Sequence, residues 1–231
     1  MNGINVIIPN YKHEAYLPDV IKGITDQTIP VSVRILLFQD APEVNLAALE
    51  LLNWNDARRI EYFRDGDNLG QSARFNQGIK YSRVDHPADW VAFQGADDIS
   101  MPWRFRVCIN QSKDVDVIYT DAIQLNAQYR RTYIRSQDFD PLVIKLQNFI
   151  VASTVMVRTE VAKEVLFDED VHYGEDWLWY NKLHLAGARF KYIPVPTVYY
   201  RDYTSQIGIR YGADWSNKKQ DLIRRINEMY K

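Results

Sequence analysis

The chain opens with Ile4-Asn5-Val6-Ile7-Ile8-Pro9, a short apolar run closed by a proline, which is the pattern of a buried strand. Leu17, Val20, Ile21 and Ile24 follow at i, i+3, i+4 and i+7, one face of a helix. Val33 to Phe38 predicts a second buried strand, Val44 to Leu52 a helix, and Ile60 to Phe63 a third strand. Gly70 to Tyr81 then predicts a helix and Trp90 to Phe93 a fourth strand. Strand and helix alternate three times before a closing strand. That rhythm implies an α/β fold with a mostly parallel, Rossmann-like sheet sandwiched by helices.

After residue 100 the rhythm breaks. Val115 to Leu125 and Tyr129 to Ser136 predict two longer, partly polar strands paired antiparallel, and Ser153 to Val157 another strand. Glu175 to Ala186 predicts a helix, and Phe190 to Tyr200 an extended segment whose Pro194 and Pro196 suit an edge or rim. Asp214 to Tyr230 predicts a helix with Leu222, Ile223, Ile226 and Met229 on one face and Lys218, Lys219, Arg224 and Arg225 largely elsewhere. No repeat, low-complexity tract or linker interrupts the chain, so one domain is expected over 1–231. Its halves are 1–112 and 113–213, with a basic amphipathic helix over 214–231.

Composition narrows the class. Lys and Arg number 28 against 30 Asp and Glu, so 28 − 30 gives a formal charge of −2, without the excess of an obligate nucleic-acid binder. The single cysteine, Cys108, cannot close an intrachain disulfide and suits a reducing compartment. The first residues carry no basic n-region and no long apolar h-region, so no signal peptide is expected. No apolar run approaches the ~18 residues of a membrane span. A cytoplasmic protein is the expectation, peripheral at a membrane if the C-terminal helix lies on one. The aromatic content (Tyr 15, Trp 6, Phe 9) means core first and ring-binding cleft second.

Ligands of open α/β sheets bind beyond the carboxyl ends of the parallel strands, so the residues following each strand carry the chemistry. They read Pro9-Asn10-Tyr11-Lys12, Gln39-Asp40-Ala41-Pro42, Asp65-Gly66-Asp67-Asn68 and Gln94-Gly95-Ala96-Asp97-Asp98. Adjacent carboxylates at Asp97 and Asp98 suit Mg2+ or Mn2+, which take one or two carboxylates plus substrate phosphates; they equally suit a solvated turn that caps the next helix. Gly174-Glu175-Asp176-Trp177 opens a predicted helix, where acids are favoured by the helix dipole. A carboxylate flanked by Trp177 and Trp179 would also be partly desolvated, and so be a better general base. The motif alone does not decide between these. The P-loop, the G-x-G-x-x-G turn and the G-x-S-x-G elbow are absent, and His13, His86, His172 and His184 lack zinc-type spacing.

Taken in order, these segments resemble family 2 glycosyltransferases of the GT-A fold. The resemblance rests on Val6-Ile7-Ile8-Pro9-Asn10-Tyr11, Asp40, Asn68-Leu69-Gly70-Gln71-Ser72-Ala73-Arg74-Phe75-Asn76-Gln77-Gly78, Ala96-Asp97-Asp98, Gly174-Glu175-Asp176-Trp177 and Tyr200-Arg201. It implies an inverting transferase using a nucleotide-diphosphate sugar, of UDP type, with Mn2+ or Mg2+. Pro9, Asn10, Tyr11, Asp40, Asn68, Arg74 and Asp97 would bind the donor, with Tyr11 against the base and Asp40 accepting from its ring N–H. Asp98, with Asp97, would hold the metal. Asp176 would be the catalytic base, with Glu175 beside it, and His172, Trp177 and Arg201 would face the acceptor. The chain departs from the family in three places. Gly95 stands where members often carry an aspartate, and Tyr203 where many carry a histidine. Arg74-Phe75-Asn76 replaces Ala-Arg-Asn, moving the arginine about 100° around a helix.

The implied acceptor is a hydroxyl on a glycan or lipid-linked glycan. Alternatives are the same chemistry on modified phage DNA, or a nucleotide-sugar-binding module without turnover. A nucleotidyltransferase would want a glycine-rich phosphate loop after the first strand, and Asn10-Tyr11-Lys12-His13 is not one.

Overall fold

The computed structural model describes residues 3–41, 43, 60–84, 87–126, 128–202 and 215–231. Within them, a nine-stranded sheet carries helices on both faces. Its first part is parallel: β1 (Ile4–Asn10) lies between β2 (Val33–Gln39) and β4 (Trp90–Phe93), and β3 (Ile60–Arg64) pairs with β2. The predicted helix over 44–52 lies outside the described residues.

The apolar runs have a direct cause. Successive residues of a strand face opposite ways, and here each face meets a core. Val6, Ile8, Ile35 and Leu37 pack on one side with Leu17, Val20, Ile21 and Ile24 of α1 (Leu17–Thr25) and with Phe105 and Cys108 of α3 (Arg104–Asn110). Ile7, Leu36 and Phe38 pack on the other with Phe75 and Ile79 of α2 (Gln71–Val84). That second core continues into an aromatic cluster, where Phe167 stacks on Trp179 at 4.2 Å and Phe93 meets the same indole edge-on at 5.1 Å.

The second half is mixed. β8 (Met156–Arg158) joins β4 to β6 (Val117–Asn126), antiparallel to both. β7 (Arg131–Ile134) folds back antiparallel on β6, as the alternation predicts. β9 (Phe190–Asp202) runs parallel to β6, and its register slips where Thr120 pairs with Ile193 but Asp121 with Pro196. Pro194 and Pro196 therefore sit at a bulge, where a missing N–H costs no ladder bond.

Three further details differ from the sequence expectation. Residues 153–154 belong to a 3₁₀ turn (Ala152–Thr154), so the strand starts only at Met156. β5 (Ile99–Ser100) is too short to have a period and is held by β9. Two short helices, α4 (Pro141–Ile144) and α5 (Thr159–Glu164), join the second-half strands. α6 (Glu175–Leu185) and α7 (Trp215–Met229) complete the fold, with Leu222 and Ile226 of α7 buried in the core. No described helix is long and apolar enough to cross a membrane.

Candidate active site

A cleft of about 920 Å3 opens at the carboxyl ends of β1, β2 and β4, within the size range of ligand pockets. Tyr11, Asp40, Asn68, Asp97, Asp98, Glu175, Asp176 and Trp177 all line it. Two acidic clusters nearly eighty residues apart in the chain thus share one cavity.

The turn after β4 makes the first cluster. Asp98 N–H donates to the Gly95 carbonyl at 3.3 Å, and Gln94 Nε2 donates to the Asp98 carbonyl at 2.7 Å, so the loop folds back over Gly95. A Cβ at residue 95 would come within 2.8 Å of Asp98 Oδ2. The glycine makes room for the carboxylates, which is why the family's aspartate has no place in this arrangement. Asp98 Oδ1 accepts the Arg201 N–H at 2.9 Å, and Oδ2 accepts the Ser153 hydroxyl. Below them Arg104 is wholly buried. Its Nη1 donates to Gln94 Oε1 at 2.6 Å and to Ser100 Oγ at 2.9 Å, and its Nη2 to the Phe93 carbonyl at 3.0 Å.

Burial, and then repulsion from Asp97, pushes the Asp98 carboxyl up to about 7. Burial raises Asp97 as well, with His13 Nδ1 4.0 Å from its carboxylate. No group of three or more His, Cys, Asp or Glu suited to a metal exists among the described residues. Two hard carboxylates lining the cleft fit a divalent ion that keeps waters and takes its other oxygens from a substrate.

The second cluster heads α6. Gly174 caps this helix with φ +64°, and a Cβ there would lie 2.4 Å from Leu222 Cδ2 of α7. Glu175 is buried, and that burial together with the Asp176 charge pushes its carboxyl up to about 7. Asp176 is half-buried, and burial raises its pKa too. Its Oδ1 accepts the Trp177 N–H at 2.8 Å and its Oδ2 the Asn148 side-chain N–H at 3.0 Å. A carboxylate so oriented, with its pKa raised by burial, is suited to take a proton.

Not every predicted site residue reaches the cleft. Pro9, Tyr11, Asp40, Asn68, Asp97, Asp98, His172, Glu175, Asp176 and Trp177 line it. Arg74 does not: it is 1% exposed and sits behind Asp40. Its Nε donates to Asp40 Oδ1 at 2.9 Å, and its two Nη atoms grip Asp65 at 2.6 and 2.7 Å, which draws the Asp65 carboxyl down to about 2. Asp40 also accepts the Leu69 and Gly70 N–H groups at 2.8 and 2.9 Å, so Asp40 and Arg74 fix the loop that presents Asn68. Asn10 is buried as well, holding Gln39 and Glu14 at 2.7 and 3.2 Å beneath the Tyr11 turn. Arg201 donates its backbone N–H to Asp98, while its side chain pairs with Asp19 at 2.7 Å, lies over the Tyr16 ring, and its charge draws the Asp97 carboxyl down against the larger effect of burial. Trp179 is core, and Trp177 is anchored by its indole N–H to the Ile144 carbonyl.

Sequence reasoning missed Ser153, Asn148, His13 and Lys219. The first two come from loops far from the acids they hold, and nothing local marks them. Lys219 reads as one charge of a solvated helix face, yet it lines the cleft.

The sequence profile of glycosyl transferase family 2 matches residues 5–166. The minor teichoic acid biosynthesis protein GgaA of Bacillus subtilis (strain 168) is 23% identical over 250 residues, covering 98% of this chain. The chain spans 52% of that relative's length. Among solved structures, S. aureus TarS 1–349 in complex with UDP superposes with a TM-score of 0.71 at 17% identity, over 97% of this chain and 65% of that one. The mannosyltransferase PcManGT from Pyrobaculum calidifontis, in complex with GDP-Man and Mn2+, gives 0.66 at 12% identity over 96% and 62%. These likenesses show the GT-A fold. With the profile covering most of its length, the chain belongs to glycosyl transferase family 2.

Proposed function

We propose that this chain moves a sugar from a nucleotide-diphosphate donor, of UDP type, to a hydroxyl of a glycan or lipid-linked glycan acceptor, with inversion. The observation that carries this reading is that Asp97, Asp98, Glu175 and Asp176 all line one cleft. TarS in complex with UDP and with UDP-GlcNAc supports the donor class, and the name of GgaA supports an acceptor of the cell-wall polymer type.

Tyr11 lines the cleft and would stack on the nucleotide base, and Asn68 lines it on the loop held by the Asp40–Arg74 clamp. Asp98 and Asp97 would hold Mn2+ or Mg2+, which supplies charge neutralisation at the departing diphosphate. Asp176 takes the proton of the acceptor hydroxyl as its oxygen attacks the anomeric carbon from the face opposite the leaving group. Asn148 holds the carboxylate in position for that step at 3.0 Å. Glu175 is buried beside it, and burial followed by the Asp176 charge raises the proton affinity of Glu175.

A melting-temperature panel of nucleoside diphosphates, each with and without Mn2+, tests the reading. Ligand at a hundred times its dissociation constant adds about 2.7 kcal/mol. Stabilisation by UDP that requires Mn2+ is the expected result, and no response to any nucleotide rejects it. Binding without donor hydrolysis or transfer would instead support a non-catalytic binding module.

A further inference from the structure

The cleft is an unfavourable place for an anion. Asp40, Asp97, Asp98, Glu175 and Asp176 all line it, and each carboxylate repels a phosphate. Among the described lining residues one lysine or arginine stands against them, Lys219 of α7. The helix's arginines are spent elsewhere: Arg224 pairs with Asp221 at 2.5 Å, and Arg225 with Asp170 at 3.0 Å. Lys219 is half-buried and makes no ion pair or hydrogen bond with the described residues.

Its backbone is nevertheless held firmly. Leu222, three residues on and therefore on the same helix face, covers Gly174, the residue before Glu175. Ile226 is buried in the core, and the Tyr230 hydroxyl donates to Asn181 Oδ1 of α6 at 2.9 Å. A fixed helix thus carries an uncommitted ammonium group into an acidic cleft, one turn from the contact that sets the head of α6.

We propose that Lys219 binds a phosphate group of a substrate inside the cleft, on the side where Glu175 and Asp176 stand. This rests on the reading of the cleft as a donor and acceptor site, and it adds phosphate as a recognised feature there. An ammonium on a flexible stem suits this task, since it meets phosphate as a point charge without demanding one geometry. The phosphate belongs either to the donor diphosphate or to an acceptor that carries phosphate along its chain.

The test compares wild type with Lys219→Gln and Lys219→Arg. Calorimetric titration with UDP in the presence of Mn2+ probes the donor, and titration of the UDP-loaded protein with a glycerol phosphodiester trimer probes the acceptor. The glutamine variant is expected to lose about tenfold in affinity in one arm, on the scale of one charge-assisted hydrogen bond. Arginine should recover most of it, with an unchanged melting temperature in both variants. A loss confined to UDP assigns the group to the donor, and one confined to the trimer assigns it to the acceptor. Unchanged affinity in both arms overturns the inference. A wild type that binds no UDP removes the reading of the cleft, and this inference with it.

Discussion

Ser153 donates its hydroxyl hydrogen to Asp98 Oδ2 while accepting the Gly95 N–H at 2.9 Å. One side chain from a 3₁₀ turn therefore ties the Asp98 carboxylate to the glycine that leaves it room. Asp98 has both oxygens engaged before any substrate arrives, which fixes its direction, and each oxygen keeps a lone pair for a further partner.

Removing the Asp176 charge should cripple transfer and leave binding intact. Asp176→Asn is expected to lose turnover by at least about a hundredfold, a typical scale for a general base. Its affinity for UDP with Mn2+ should stay near wild type. Measured kcat and nucleotide affinity together check this, and near-normal turnover would move the role to Glu175.

Transfer should also depend on pH with a definite sign. The base acts ionised, and burial raises Asp176 while Glu175 is held at about 7. The rate is therefore expected to rise with pH on the acid limb of the usual profile, with a midpoint above that of an ordinary aspartate. A rate already flat at pH 5 would contradict the raised pair.

Stability should run the other way. Asp98 titrates at about 7 in the folded chain, whereas an unfolded Asp titrates near 3.9. The folded state binds the proton more tightly, so this contribution is full below about 4 and is lost as pH rises through about 7. Glu175, also held at about 7, adds to the same trend. Asp65, drawn down to about 2, acts oppositely but only below its unfolded value, outside this window. Without metal, the melting temperature should fall from pH 5 to pH 8, and Asp98→Asn should flatten that fall and abolish the effect of Mn2+ on UDP binding.

Arg74 gives a sharp structural test. Arg74→Met leaves the buried Asp40 carboxylate without its cation, and breaking such a pair costs about 3 kcal/mol or more. A lowered urea midpoint and weaker UDP binding, through a loosened Asn68 loop, are expected together. Unchanged binding would disconnect the clamp from the cleft.

Gly174→Ala should destabilise by about 1–3 kcal/mol, because an L residue at φ +64° is strained and its Cβ meets Leu222. Adding Leu222→Ala relieves the clash, so the double variant should cost less than the sum of the singles. Additive losses in denaturant melts would show that the two residues are not in contact.

The parallel half of this fold is legible because both of its faces are buried. A strand such as Ile4–Asn10 cannot then alternate polar and apolar, and its continuous run stands out. The face Leu17, Val20, Ile21 and Ile24 is legible for the opposite reason, having one buried side only. The second half is harder to read. β5 has two residues and no period, and β9 slips its register by three residues between Ile193 and Val198, which only its pairing with β6 reveals. The acids of the cleft show in the sequence as short clusters after strands. The groups that aim them, Ser153 and Asn148, lie 55 and 28 residues away from Asp98 and Asp176, so only folding brings them into view.

Arg104 sits in a dry interior below Asp98, with its guanidinium held by Gln94, Ser100 and the Phe93 carbonyl. The loop that carries Asp97 and Asp98 thus owns a permanent counter-ion, fixed in the core, and keeps its shape whether the cleft is empty or filled.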